Sequence, residues 1–188
     1  MSEPGQREPA PAPLAGVQAF VNTNDIEAGR DRFQSPADLR EWLVDRELLE
    51  PGVEVSDDDL RRALAVREAI RALAAAHNRL PADSKAATAR LNAQAERAGL
   101  APELDAHEGL RIVPRAGGVD GALGHLLAAI YGATADGSWE RLKACGRDSC
   151  RWVFYDRSKN RSGSWCDPAD CGTRERSRRA YRRRRDSA

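Results

Sequence analysis

The chain carries four cysteines, Cys145, Cys150, Cys166 and Cys171, arranged as two pairs. Four residues separate the members of each pair and fifteen separate the pairs. Each pair can offer two thiolates from one tight turn, and the intervening loop can fold the pairs together. That is a common way to close a tetrahedral, all-thiolate zinc site. The loop holds Trp152, Val153, Phe154 and Tyr155, which read as a strand, followed by a polar turn over 156–164. Arg147, Arg151 and turn N–H groups can offset the charge of four thiolates on one Zn²⁺. A helix starting right after Cys171 adds a favourable dipole. Other chemistries use the same residues. Two disulfides would suit a secreted chain, and an iron–sulfur cluster also takes four thiolates. A catalytic zinc would need an open position and a base, and the nearest histidine in sequence, His125, falls in the preceding helix. The natural reading is one closed, structural zinc.

The segment after the last cysteine, GTRERSRRAYRRRRD over 172–186, is an arginine-rich helix. At 100° per residue, Arg174, Arg178, Arg179, Arg182, Arg183 and Arg185 spread over one half of it, with Glu175 the only acid among them. Thr173, Ser177, Ala180 and Tyr181 fall on the other half, with Arg184, and that half can pack on Trp152, Phe154 and Trp165. Guanidinium groups bind phosphates bidentately, so the arginine half reads as a nucleic-acid surface. The bland alternative is a solvated, charged terminus that aids solubility. If about five phosphates are neutralised, the log–log salt slope on duplex DNA is about −4 to −5. Arginine alone chooses neither DNA over RNA nor a sequence.

The elements that must position these groups follow from the rest of the chain. Residues 1–16 are rich in proline, glycine and alanine and read as a disordered lead. The apolar run 17–23 (VQAFVNT) is a strand or a helix, which periodicity does not decide. Ser35, Pro36 and Asp38 form a helix start, and the helix buries Leu39, Trp42 and Leu43. Ser56 with Asp57, Asp58 and Asp59 opens the longest helix, whose apolar face runs Ala63, Val66, Ile70, Leu73, His77 and Leu80 until Pro81 stops it. A third helix spans about 84–98 and ends at Gly99. Residues 104–105 and 110–113 read as a small hairpin. Asp120 opens an apolar helix through Leu123, Leu126, Leu127 and Ile130. The fold class is therefore mainly α with a small β component. A helical domain over 17–140 precedes a four-cysteine β-ribbon and helix module over 141–188.

Charge divides along the same line. From 141 to 188 there are 15 Lys and Arg against 6 Asp and Glu, a net of +9, while residues 1–140 carry a net of −8. The overall +1 hides this asymmetry, and the basic part points to a polyanion. No apolar run is long enough for a signal peptide or a membrane span, so a cytoplasmic chain without membrane partners is expected. Thiols stay reduced there, which again favours metal.

The cysteine segment resembles the CGNR zinc-finger family. The likeness rests on Cys145 and Cys150, then Phe154-Tyr155-Asp156 and Ser158, then Trp165-Cys166, then Cys171-Gly172-Thr173-Arg174. It covers about 141–185. The helical part looks like the ABATE domain usually found with it, through Phe20-Val21-Asn22-Thr23, the helix with Leu39 and Trp42, LAVREAIR over 64–71, and Leu91-Asn92. Such proteins are bacterial and regarded as stress-induced transcription regulators, so the resemblance implies DNA binding by the zinc module. Two departures stand out. Thr173 replaces the family asparagine, and Ser162-Gly163-Ser164 stands before Trp165-Cys166 where the family tends to place arginines.

A regulator of this layout needs an input, a small molecule or a protein. Asn22, Thr23 and Arg67 are the candidate ligand-binding residues, with His77 and Asn92 as further polar groups. Arg67 lies on the apolar arc of the long helix, where a charge is costly unless paired. It is read either as a ligand anchor or as a charge that pairs with an acid or snorkels to water. His77 is read as a satisfied core histidine. A homodimer is an open question, with the apolar helix around Leu123 and Ile130 as one place for it. The competing reading is an RNA-binding or protein-interaction module in which zinc only builds the surface. An enzyme lacks support: no Gly-rich phosphate loop, nucleophile elbow or histidine–carboxylate pair is present.

Overall fold

A computed structural model of the chain describes residues 7–107 and 109–186, with the side chains of Arg179 and Asp186 outside the description. The first helix, α1 (Leu14–Val21), resolves the ambiguous run 17–23 and buries Leu14, Val17, Phe20 and Val21. Residues 1–6 of the expected disordered lead lie outside the described residues. Its described part corrects the expectation. Ala10 is buried, its N–H donates to the Gln18 side chain at 2.7 Å, and the Arg7 guanidinium lies 4.8 Å over the Phe154 ring. Proline and alanine contribute little core of their own, but here the core of the following elements supplies the partner surface.

A short hairpin follows, β1 (Asn24–Asp25) paired antiparallel with β2 (Arg30–Asp31). Next comes α2 (Pro36–Val44), opened by the expected capping box between Ser35 and Asp38. The same device, Ser56 with Asp59, opens α3 (Asp57–His77). This long helix ends earlier than its apolar pattern suggests, because Arg79 adopts φ 57°. The amides of Arg79 and Leu80 then bond back to Ala76 and Ala75, at 2.8 and 3.0 Å. This double closure, and not Pro81, is the stop. Helix α4 (Ser84–Ala98) is capped by the Asp83 side chain and closed by a left-handed Gly99. The hairpin β3 (Ala101–Asp105) and β4 (Gly109–Val113) leads into α5 (Gly118–Ala135). Leu104 and Leu110 face each other across that hairpin, 80% and 69% exposed.

The core gathers Phe20, Phe33 and Trp42, whose ring centroids lie 5.5 to 6.0 Å apart, with Val66 and Ile70 of α3 and Leu123, Leu126 and Leu127 of α5. Helix α5 thus spends its apolar face inside the monomer. That removes Leu123 as a dimer surface. Each large buried side chain in such a core contributes about 1.5–3 kcal/mol relative to exposure.

After a single 3-10 turn (Trp139–Arg141), the strands β5 (Leu142–Ala144) and β6 (Val153–Tyr155) pair antiparallel, and the chain ends in α6 (Cys171–Asp186). The ribbon is shared between two cores by strand alternation. Leu142, Ala144, Val153 and Tyr155 join the helical core, whereas Phe154 packs with the four cysteines. The fold is mainly α with small β elements, a helical region followed by the cysteine module. Among the described residues no helix is long and apolar enough to cross a membrane.

Candidate metal centre and the helix it carries

The first cysteine pair sits on a tight turn after β5. The Cys145 N–H donates to the Trp152 carbonyl at 2.9 Å, the Cys150 N–H to the Arg147 carbonyl at 2.9 Å, and Arg151 takes φ 52° to reverse the chain. The second pair brackets Asp167, whose carboxylate accepts from the Ala169 and Asp170 amides and shapes the turn into α6. Cys171 is itself the first residue of α6, so the last sulfur and the basic helix share one backbone.

All four sulfurs are buried and lie within 4.8 Å of one another. Cys166 stands 3.6 Å from both Cys150 and Cys171, sulfur to sulfur. Four thiolates at about 2.3 Å from one zinc stand about 3.8 Å apart in a tetrahedron, so the donor set fits. Among themselves the thiols compete for one negative charge. The Cys145 thiol is drawn well below the usual range by hydrogen bonds from Cys150 and Cys166, and the same contacts push those two up. Burial and the neighbouring Cys145 charge raise Cys171. A bound divalent cation lets all four ionise together. No thiol is left over to react. Cys145, Cys150, Cys166 and Cys171 would hold the metal and complete its shell.

Trp165 explains two glycines of the motif. A Cβ on Gly146 would come within 3.0 Å of the indole and 3.1 Å of the Ser164 carbonyl, and one on Gly172 within 3.0 Å of the same ring. The indole thus lies between the two cysteine turns, and a side chain at either glycine would have to push it back by a few tenths of an ångström. The loop between the pairs is fixed from inside by Asp156. It is fully buried and pairs with Lys143 at 2.8 Å, while its oxygens accept from the Ser158 and Gly163 amides. Burial alone would raise the Asp156 carboxyl, but Lys143, Ser158 and Gly163 hold it at about 2. Lys143 also bonds the carbonyls of Arg161 and Gly163.

A model of the family described as "ABATE: Putative stress-induced transcription regulator" matches residues 15–137, and a model described as the CGNR zinc finger matches 141–185. The chain belongs to the ABATE family. It carries a CGNR zinc finger after the ABATE region, and the cysteine cluster is that finger's structural zinc site. No curated protein matches the chain.

The ABATE residues nominated as ligand-binding have other work. Asn22 embraces the β6 backbone: its Nδ2 donates to the Val153 carbonyl and its Oδ1 accepts from the Val153 amide, each at 2.8 Å. Arg67 is 3% exposed and forks onto Asp31, with Nη1 at 2.7 Å and Nη2 at 2.5 Å, while its Nε meets Glu68. Thr23 accepts from Arg67 at 3.2 Å and donates to the Phe20 carbonyl. All three guanidinium nitrogens are engaged within the fold and Asp31 neutralises the charge, so the geometry supports the acid-partner reading of Arg67. His77 is a satisfied core histidine, 2.9 Å from the Leu142 carbonyl and edge-on to Trp139. Burial lowers its pKa, with the Leu142 contact opposing. Asn92 is exposed on α4.

Several residues of this interface are absent from the sequence reading. Asn78, at the end of α3, donates to the carbonyls of Ala144 and Ser164, at 2.8 and 2.9 Å, on both sides of the cysteine site. Arg71 is buried and reaches the Arg151 carbonyl at 3.0 Å as well as Val21 and Asn24. Periodicity marks the backbone of α3 but not which polar residues face a partner 65 or more positions away. Arg71 carried the one usable signal, a charge within the family-like LAVREAIR stretch.

On α6 the arginines divide into two groups. Arg174 pairs with Asp170 and Glu27, and Arg178 forks onto the buried Glu175. Arg176, outside the nominated set, donates to the hydroxyl of Thr173 at 2.9 Å. Arg183 and Arg185 also have interactions within the fold. Among the described residues, Arg182 and Arg184 are exposed and engage no acid.

Proposed function

We propose that the protein is a DNA-binding transcriptional regulator whose zinc module presents α6 to duplex phosphates. The observation that carries this reading is the continuity of the last zinc ligand with a basic helix. Cys171 opens α6, and exposed arginines continue along it as far as Arg185. An arginine tail of the same composition trailing freely would lose ordering entropy on every contact. Here the backbone is already ordered by the site. Arg174, Arg178, Arg179, Arg182, Arg183 and Arg185 are the proposed contact residues. Arg182 leads because it is exposed and need not leave an acid to meet a phosphate.

The helical region is proposed to take the regulatory input, a small molecule or a protein. Asn22 serves that role by clasping the Val153 backbone of β6, while Thr23 and Arg67 bond to each other and to Phe20, Asp31 and Glu68 within the helical region. A cytoplasmic setting and a regulator without catalytic activity complete the proposal. Binding of a labelled duplex at two salt concentrations tests it. The expected log–log slope is about −4 to −5 for about five phosphates, and Arg178→Ala with Arg182→Ala makes it shallower by about 2. Unchanged affinity in that double variant overturns the reading. Stronger binding to RNA than to duplex DNA under the same conditions moves it to the RNA-binding alternative.

A further inference from the structure

One acid of the helical region sits on the basic surface of the zinc module. Glu27 occupies the turn between β1 and β2, which is braced from beneath by Asp25. The Asp25 carboxylate accepts from the Ala28 amide at 3.0 Å and from Arg30 at 3.3 Å, and Gly29 closes the turn at φ 63°. The turn thereby carries Glu27 out to two arginines of the other part of the chain. One oxygen, Oε1, lies 2.6 Å from Nη1 of Arg147 and 3.2 Å from Nη1 of Arg174.

Two guanidinium groups converging on one oxygen form a site for an anion. Arg147 belongs to the first cysteine turn and also stands 4.0 Å from the Cys171 sulfur, and Arg174 is in the first turn of α6. Both are therefore fixed relative to the metal site. Arg174 also keeps Asp170 on its Nε at 2.5 Å, and Glu27 is the acid that the two arginines share. The Glu27 and Arg147 side chains are 27% and 19% exposed, so the pairing is accessible from solvent on one side. A phosphodiester oxygen has the same charge and the same acceptor geometry as this carboxylate, and arginine forks suit it.

We propose that Arg147 and Arg174 form a backbone-phosphate site for duplex DNA, and that Glu27 fills this site in the free protein and is displaced on binding. This rests on the DNA-binding reading above. Glu27 then acts as an internal competitor that links the helical region to the DNA surface. Any input that pulls the β1–β2 turn away from Arg147 and Arg174 raises DNA affinity, and any input that holds it in place lowers affinity.

The test is duplex binding by full-length zinc-loaded protein, wild type and Glu27→Gln, with zinc content and unfolding temperature measured on both. Glu27→Gln keeps the shape and removes the competing charge. The expected result is about two- to tenfold tighter binding, the size of one or two partly exposed ion pairs. The gain disappears when Arg174→Ala is added. Arg174→Ala alone makes the salt slope shallower by about 0.9, one phosphate contact. If Glu27→Gln leaves affinity unchanged or lower while wild type binds duplex, the phosphate-site proposal is overturned and the DNA-binding reading stands. If neither protein binds duplex at low salt, both fall. Binding by Glu27→Gln alone supports both.

Discussion

The helical region and the zinc module hold their folds by different means. The first is built on aliphatic and aromatic burial, with Phe20, Trp42, Leu39, Ile70 and Leu123 fully enclosed. Its buried charges are neutralised internally, as Arg67 is by Asp31. The module, about a third as long, has Phe154 as its one fully enclosed large apolar side chain packed on the cysteines, with Trp152 and Trp165 half-buried around them. It also carries a net charge of +9 over 141–188. A segment this short rarely closes a core of its own, and a metal is one of the few substitutes. The comparison teaches that the module is stabilised from two sides. Metal ligands work from one, and from the other the helical region works through Asn22, Arg71, His77 and Asn78 on its backbone.

The sharpest way to break this comparison is to take away the metal side. Chelation, or Cys166→Ser, is expected to unfold the module and to lower the melting temperature of the whole chain. Structural zinc contributes on the order of 10 kcal/mol in small modules, and β5–β6 belongs to the helical core. Calorimetry with and without chelator checks this. Two separate transitions, with the helical one unmoved, would show that the two parts are independent.

The next largest effect concerns the loop between the cysteine pairs. Asp156→Ala leaves Lys143 buried without its partner, and a loss of about 3–5 kcal/mol is expected in denaturant unfolding. A double substitution of Lys143 and Asp156 by apolar residues is expected to recover part of it. Acid acts on the same group. The Asp156 carboxyl is held at about 2, below its unfolded value, so its contribution is complete above about pH 4 and is lost as pH falls toward 2.

Asn78→Ala tests the other side of the support. It strips hydrogen bonds from the Ala144 and Ser164 carbonyls, and about 1–3 kcal/mol of stability should be lost with zinc stoichiometry unchanged. A smaller effect comes from His77. Burial holds it neutral below its ordinary pKa, so its favourable state is fully populated above about pH 6.5 and is lost as pH falls through its lowered pKa. His77→Gln should flatten the stability profile over that interval.

Much of this was legible in the sequence for definite physical reasons. Cysteine spacing fixes a metal site because thiolate geometry is strict, and all four ligands followed from it. Capping boxes placed α2 and α3 because Ser-x-x-Asp satisfies orphan amides locally. What stayed hidden depends on partners far apart in sequence. Nothing local reveals that Asn22 clasps Val153, that Arg67 is claimed by Asp31, or that Glu27 reaches Arg147. The end of α3 is hidden for another reason, since the left-handed turn at Arg79 closes the helix before its apolar pattern ends, and no glycine marks it. The dyad β1–β2, two residues to a strand, is too short for any periodicity to register.

The central proposal is that zinc holds α6 in place so that its arginines engage duplex DNA. The direct measurement is anisotropy of a labelled duplex titrated with zinc-loaded protein and with the same protein after chelation, at one fixed salt concentration. The expected result is salt-sensitive binding by the loaded protein and a loss of about tenfold or more after chelation, restored by added zinc. Equal affinity before and after chelation would contradict the claim, because the arginines would then bind as a simple charged tail.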